Sequence, residues 1–145
     1  MFSARRLNDG MGAYVANQLI KTMNLKGLVV KNANFLILGF TFKENCPDIR
    51  NTKVIDIYHS LAEYSDNITV FDPWADPDTV ERDYSISLSK KPLSALNASF
   101  DAVILAVAHS QFLNIDIRSL LSNPKQGVVY DVKSCLNHID VDNRL

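Results

Sequence analysis

The chain has 145 residues, of which 47% are hydrophobic and 21% charged, with a net charge of −1. That length and balance fit one ordinary globular domain with a core of its own, and they exclude a disordered or collagen-like chain. The near-neutral charge argues against a nucleic-acid partner, no apolar run approaches the ~18 residues of a membrane span, and the first residues lack the apolar core of a signal peptide.

Residues 4–25 read as one helix, with Tyr14, Val15, Leu19, Ile20, Met23 and Leu25 at helical spacing. Gly10 and Gly12 weaken it locally, and Arg5 and Arg6 sit where a helix dipole disfavours cations. Residues 24–32 connect it to a strand over 35–42, an apolar run of the kind buried on both faces. Asn51 or Thr52 can cap the next helix, whose inner stripe is Val54, Ile57, Tyr58 and Leu61. A second strand spans 67–72 and stops at Pro73, residues 77–89 read as irregular with a short edge strand, and 93–97 as a short helix. A buried strand over 101–108, a helix over 111–121 and a last strand over 127–132 complete the series. Alternating strand and helix predicts an α/β fold: a Rossmann-like parallel sheet with helices on both faces, preceded by a long N-terminal helix. That leading helix has no strand before it, so its apolar stripe is expected to pack on another domain or a second chain.

The densest chemistry lies at residues 36–53, LILGFTFKENCPDIRNTK. An apolar strand runs into Lys43, Glu44, Asp48 and Arg50, at the strand-to-helix edge where open α/β sheets hold ligands. Arg50 offers a planar fork and Lys43 a compact charge for a phosphate or carboxylate; the alternative is a local, solvated cluster with Glu44 and Asp48. Gly39 is the one glycine where a dinucleotide fingerprint needs three. Asp72 mimics the acid that holds an NAD ribose, but it lies 33 positions beyond Gly39, against a usual spacing of about 20. It reads better as a turn former before Pro73. His109, after the third buried strand, could donate to a ligand; its commoner use is to cap the next helix or bond backbone. Trp74 either covers the sheet edge or stacks on a flat ligand. His59 and His138 have no partner at metal spacing, so no metal site is expected. Two cysteines, Cys46 and Cys135, make no disulfide framework, and a reducing, cytoplasmic setting is the simpler reading. Cys46, beside Lys43, could be activated as a nucleophile, but with no His at a supporting spacing its commoner reading is a passive thiol.

The stretch LILGFTFKENCPDIRNTKVIDI resembles the signature of the C-terminal, nucleotide-sugar-binding domain of the UDP-glucose/GDP-mannose dehydrogenase family. FDPWAD (71–76), AVAHSQF (106–112) and VVYDVKSCL (128–136) match later motifs of that domain, and RRLNDGMGAYVANQ (5–18) is similar to the end of the family's central helix. The wording FKENCPDIRNTK and DPWAD points to the branch acting on UDP-N-acetyl-hexosamines. The resemblance implies residues 1–26 as the C-terminal part of the central dimerisation helix and 27–145 as a UDP-sugar-binding domain. It implies a fragment of an enzyme that uses NAD to oxidise the C6 alcohol of a nucleotide sugar to a carboxylate, in surface polysaccharide synthesis, and that dimerises through the central helix. NAD is then held mainly by an N-terminal domain, and the catalytic cysteine belongs to a middle part whose glycine-rich motif is not in this chain, so Cys46 and Cys135 do not inherit its role. The fragment alone is expected to be inactive. By resemblance Phe42 and Lys43 contact the UDP-sugar and Arg50 reaches toward NAD. Some relatives place a substrate arginine just after the last strand, where this chain has Lys133 and Ser134. A free-standing nucleotide- or NAD-binding module without catalysis is the other class of function the residues allow.

Overall fold

The computed structural model describes residues 10–96 and 99–145. Its sheet has four strands of four residues, β1 (Phe35–Leu38), β2 (Ile68–Phe71), β3 (Ala102–Leu105) and β4 (Val128–Asp131), and a two-residue β5 (Asn143–Arg144). They lie in the order β2-β1-β3-β4-β5, and every pair is parallel. β1, β3 and β4 are buried along their whole length, which is why their sequences show no polar alternation. On one face Phe35, Ile37, Ile104 and Tyr130 pack under α1 (Met11–Leu25) and α2 (Val54–Ala62). On the other, Leu36, Leu38, Val103, Leu105 and Val129 meet Phe112 of the single-turn α4 (Ser110–Leu113) and Leu120 of a 3₁₀ turn, Ile117–Leu120. The expected α/β sheet with both faces covered is present.

The leading helix corrects an expectation. Val15, Leu19 and Met23 of α1 are fully buried, and the helix packs chiefly on α2. Gly12 permits the close approach: a Cβ there would fall 2.4 Å from Asp56 Cβ. The glycine that weakens the helix in isolation is what seats it, and the stripe belongs to this domain's own core. Only Tyr14 and Leu25 of the stripe remain exposed. Residues 4–9, with Arg5 and Arg6, lie outside the described residues, as does Asn97.

Other differences have local causes. β1 ends at Leu38, four residues early, because Gly39 turns the chain at φ +98°. Residues 77–84, expected to be irregular, form α3 (Pro77–Tyr84), with proline in the first turn and Asp76 before it. The edge strand after it reduces to one parallel bridge, Leu88 to Val70. Thr52 stands one place outside the cap of α2, yet its Oγ1 still accepts the Val54 N–H at 3.2 Å. The helix over 111–121 is broken into α4 and the 3₁₀ turn by Asn114 to Asp116. β5 had no sequence signal. It is pinned by Asp142, whose carboxylate accepts from Lys26 Nζ at 2.6 Å, Arg118 Nη1 at 3.1 Å and the Val129 N–H at 2.9 Å.

Candidate functional site

The order β2-β1-β3 means that winding reverses between β1 and β3, and ligands of open α/β sheets sit at the carboxyl edge of such a switch point. A cleft of about 320 Å³ opens there. Its walls come from the loop after β1 (Thr41, Phe42), the start of α2 (Thr52, Lys53), the ends of β3 and β4 (Val107, Lys133) and Met11 of α1. A roomier depression of about 590 Å³ lies at the opposite, amino edge, beside Asn34, Ile68 and Lys90. Topology selects the smaller one.

Gly39 sets the course of the first loop. Its φ of +98° suits glycine, and a Cβ on it would lie 2.6 Å from Val107 Cβ. The next two amides turn inward: Phe40 N–H and Thr41 N–H donate to Asp72 Oδ2 at 2.6 and 3.0 Å. Asp72 Oδ1 accepts from Trp74 N–H at 2.7 Å and Ala75 N–H at 3.1 Å. So Asp72 is the turn former the sequence indicated, and also an anchor for the loop after β1. Burial alone would push its carboxyl up; hydrogen bonds from His109, Phe40 and Trp74 outweigh that and hold it below the usual range.

His109 is fully buried. Its ring makes no capping bond to α4, which corrects the cap reading. Nε2 lies 2.9 Å from Asp72 Oδ2 and 3.1 Å from Thr41 Oγ1, and Nδ1 accepts the Asn45 N–H at 2.9 Å. Asn45, at φ +56°, returns its own Oδ1 to the Ser110 N–H at 3.0 Å. Trp74 partly covers the ring, with centroids 6.2 Å apart, and its Nε1–H donates to Gln111.

The three site residues read from sequence are carried by this loop, but only Phe42 lines the cleft. Its ring is exposed and its N–H is tied to Asp48 O at 2.7 Å. Lys43 is exposed on the same loop and makes no ion pair among the described residues. Arg50 is the local, solvated pair that composition allowed: its Nε and Nη2 grip the two oxygens of Asp48 at 3.0 Å each. The guanidinium beside Asp48 holds that carboxyl below its ordinary value. Lys53 and Lys133 are cleft residues that reading the motif did not rank. Lys133 lies two residues beyond the end of the buried β4, at the place where some relatives carry a substrate arginine, and that position was its signal. Ser134, at φ +53°, spends its hydroxyl on Leu145 O.

A dinucleotide needs free amides after β1 and an open acid after β2. Here the Phe40 and Thr41 amides are already bonded to Asp72, and Asp72 is buried with its acceptors filled. The turn after β1 therefore does not fit NAD. Burial and then Asp131 push the Cys135 thiol up, the wrong direction for a nucleophile. Among the described residues, no group of three or more His, Cys, Asp or Glu could hold a metal ion, and no helix is long and apolar enough to cross a membrane.

The profile of the UDP-glucose/GDP-mannose dehydrogenase family, UDP binding domain, matches residues 36–138. The chain belongs to this family. Over its full length it is 47% identical to a UDP-N-acetyl-D-glucosamine 6-dehydrogenase of Salmonella typhi and 44% identical to one of Pseudomonas aeruginosa, covering 34% of each. It thus spans about a third of the length of the curated relatives it matches. The fold agrees with an NDP-N-acetyl-D-galactosaminuronic acid dehydrogenase of Methanosarcina mazei at TM-score 0.78 and 18% identity, over 94% of this chain and 28% of that one. A UDP-D-ManNAc dehydrogenase of Pyrococcus horikoshii gives 0.77 at 18% identity, over 97% and 32%.

Proposed function

We propose that this chain is the substrate-binding part of an NAD-dependent dehydrogenase that oxidises the C6 alcohol of a UDP-N-acetyl-hexosamine to the uronic acid, for surface polysaccharide synthesis. The observation that carries it is the carboxyl-edge cleft of a UDP-binding-family domain, walled by Phe42, Lys53 and Lys133. A UDP-sugar brings two phosphates and flat apolar surface. Lysines at the wall and Lys43 at the rim offset the phosphates, and the exposed ring of Phe42 offers a face for the flat part. In this reading Phe42 and Lys43 touch the nucleotide sugar, and Arg50, held outward by Asp48, extends toward NAD bound on another part of the enzyme. This chain binds and orients; the hydride and thiol chemistry belong to the parts of the relatives it does not span. Dimerisation of the whole enzyme and a cytoplasmic setting belong to the same proposal.

Calorimetric titration tests it. UDP and UDP-N-acetylglucosamine should bind the chain, and NAD should bind far more weakly. NAD binding tighter than UDP would overturn the assignment and favour a dinucleotide module.

A further inference from the structure

We infer that His109 is a positioning residue for the proposed UDP-sugar site: one buried ring fastens both ends of the short segment that presents Phe42 and Lys43. The inference takes the ligand from the reading above, but its geometry stands without it. A backbone amide only donates, so the Asn45 N–H bond leaves Nδ1 without a proton and places the ring's single proton on Nε2. That proton faces Asp72 Oδ2 at 2.9 Å, with Thr41 Oγ1 at 3.1 Å. The Thr41 hydroxyl donates onward to Lys43 O at 3.0 Å, so its lone pairs are free to meet the ring. Every bond in the network then has one direction.

Thr41 and Asn45 bracket Phe42, Lys43 and Glu44, all three exposed. Both brackets converge on the same imidazole, itself 0% exposed. A histidine serving its own helix would spend the ring on α4. Here Asn45 Oδ1 meets the Ser110 amide instead, and the ring is spent on the loop. Asp72, beyond β2, and His109, beyond β3, thus lock the loop after β1 to its two neighbouring strands. A loop held in this way needs little ordering when a ligand arrives.

The test uses amide variants that separate the two ring nitrogens. The amide of His109→Asn reaches the place of Nδ1, and that of His109→Gln the place of Nε2. On the 145-residue chain, amide hydrogen exchange at Asn45 and Ser110 is measured beside UDP affinity, well below the unfolding midpoint. His109→Gln should free the Asn45 amide while core amides such as Ile37 stay protected. It should weaken UDP binding about tenfold, or ~1.4 kcal/mol. His109→Asn should restore most of the Asn45 protection and most of the affinity. If both variants lower the midpoint equally and leave the UDP dissociation constant unchanged, His109 is only structural and the inference falls. If the unaltered chain does not bind UDP, the substrate reading fails, and Asn45 exchange alone decides: protection kept in His109→Gln refutes the positioning role, protection lost supports it. Should a His109 variant fail to fold, Thr41→Val removes the other bracket and must shift exchange and affinity in the same direction.

Discussion

Asp72→Asn is the sharpest perturbation of this edge. The substitution keeps shape and removes one acceptor. Oδ2 takes the Phe40 and Thr41 amides and the His109 ring, and Oδ1 takes the Trp74 and Ala75 amides. Either orientation of the new amide therefore turns its NH₂ toward at least two donors. Each donor left unpaired in a buried site costs about 1–3 kcal/mol, so the loss should be about 2–6 kcal/mol. At roughly 3 °C per kcal/mol for a chain of this length, the midpoint should fall by about 6–18 °C. The carboxyl is held below its ordinary value of about 3.9 in the folded state. Its contribution is therefore full above that pH and is lost as pH falls through the lower folded value. The unaltered chain should lose stability on acidification below about pH 4, and the difference from Asp72→Asn should shrink there. Urea unfolding at pH 7 and across the acid range measures both effects. A loss under about 1 kcal/mol, or a difference that grows on acidification, would refute the anchoring role.

Gly39→Ala combines a positive φ, worth about 1–2 kcal/mol, with a Cβ set 2.6 Å from that of Val107. It should destabilise by about 2–5 kcal/mol in urea unfolding. Leu19→Ala should cost about 2–5 kcal/mol in the isolated chain, because the leading helix is part of this core; a near-neutral result would return it to a foreign partner. Lys43→Ala, on an exposed side chain, should weaken UDP binding about tenfold with the unfolding midpoint unchanged, read by calorimetry. Incubated with UDP-N-acetylglucosamine or UDP-N-acetylgalactosamine and NAD, the chain should produce no NADH absorbance, since its β1 turn does not fit the dinucleotide.

The sheet was legible because burial on both faces leaves a plain trace: FLIL, AVIL and VVYD are apolar runs that few other contexts would tolerate. The loop around Phe42 and Lys43 stood out in the sequence because its charges follow a buried strand, but composition could not separate a ligand site from the local pair that Arg50 and Asp48 form. The roles of Phe42 and Lys43 came from the resemblance. α3 was missed although its start is written in Asp76-Pro77, since its polar sequence carries one buried residue, Val80, and gives no apolar period to read. β5 was missed because two residues carry no pattern, and what holds them is Asp142 reaching Lys26, 116 positions away in sequence. His109 and Asp72 were each visible, but their partnership spans 37 positions. Local rules assign such residues to turns and caps, and only the register of β1, β2 and β3 brings them within bonding distance.

That partnership bears on the chemistry of the cleft. Two acids stand at the carboxyl edge of the sheet, Asp72 after β2 and Asp131 at the end of β4, and both are buried. Read along the sequence, Asp72 mimics the acid that holds a ribose. Each is instead turned into its own loop: Asp72 holds four backbone amides and a ring proton, and Asp131 accepts from the Lys133 and Leu136 amides at 3.1 and 2.8 Å. A carboxylate satisfied by backbone N–H groups fixes loop geometry without offering its charge to a ligand. The acids thus shape the loops that carry Phe42, Lys43 and Lys133, and the charged side chains lining the cleft are the lysines Lys53 and Lys133. In the proposed reading, the cleft lysines Lys53 and Lys133 meet the two phosphates of a UDP-sugar, on a chain whose overall net charge is only −1.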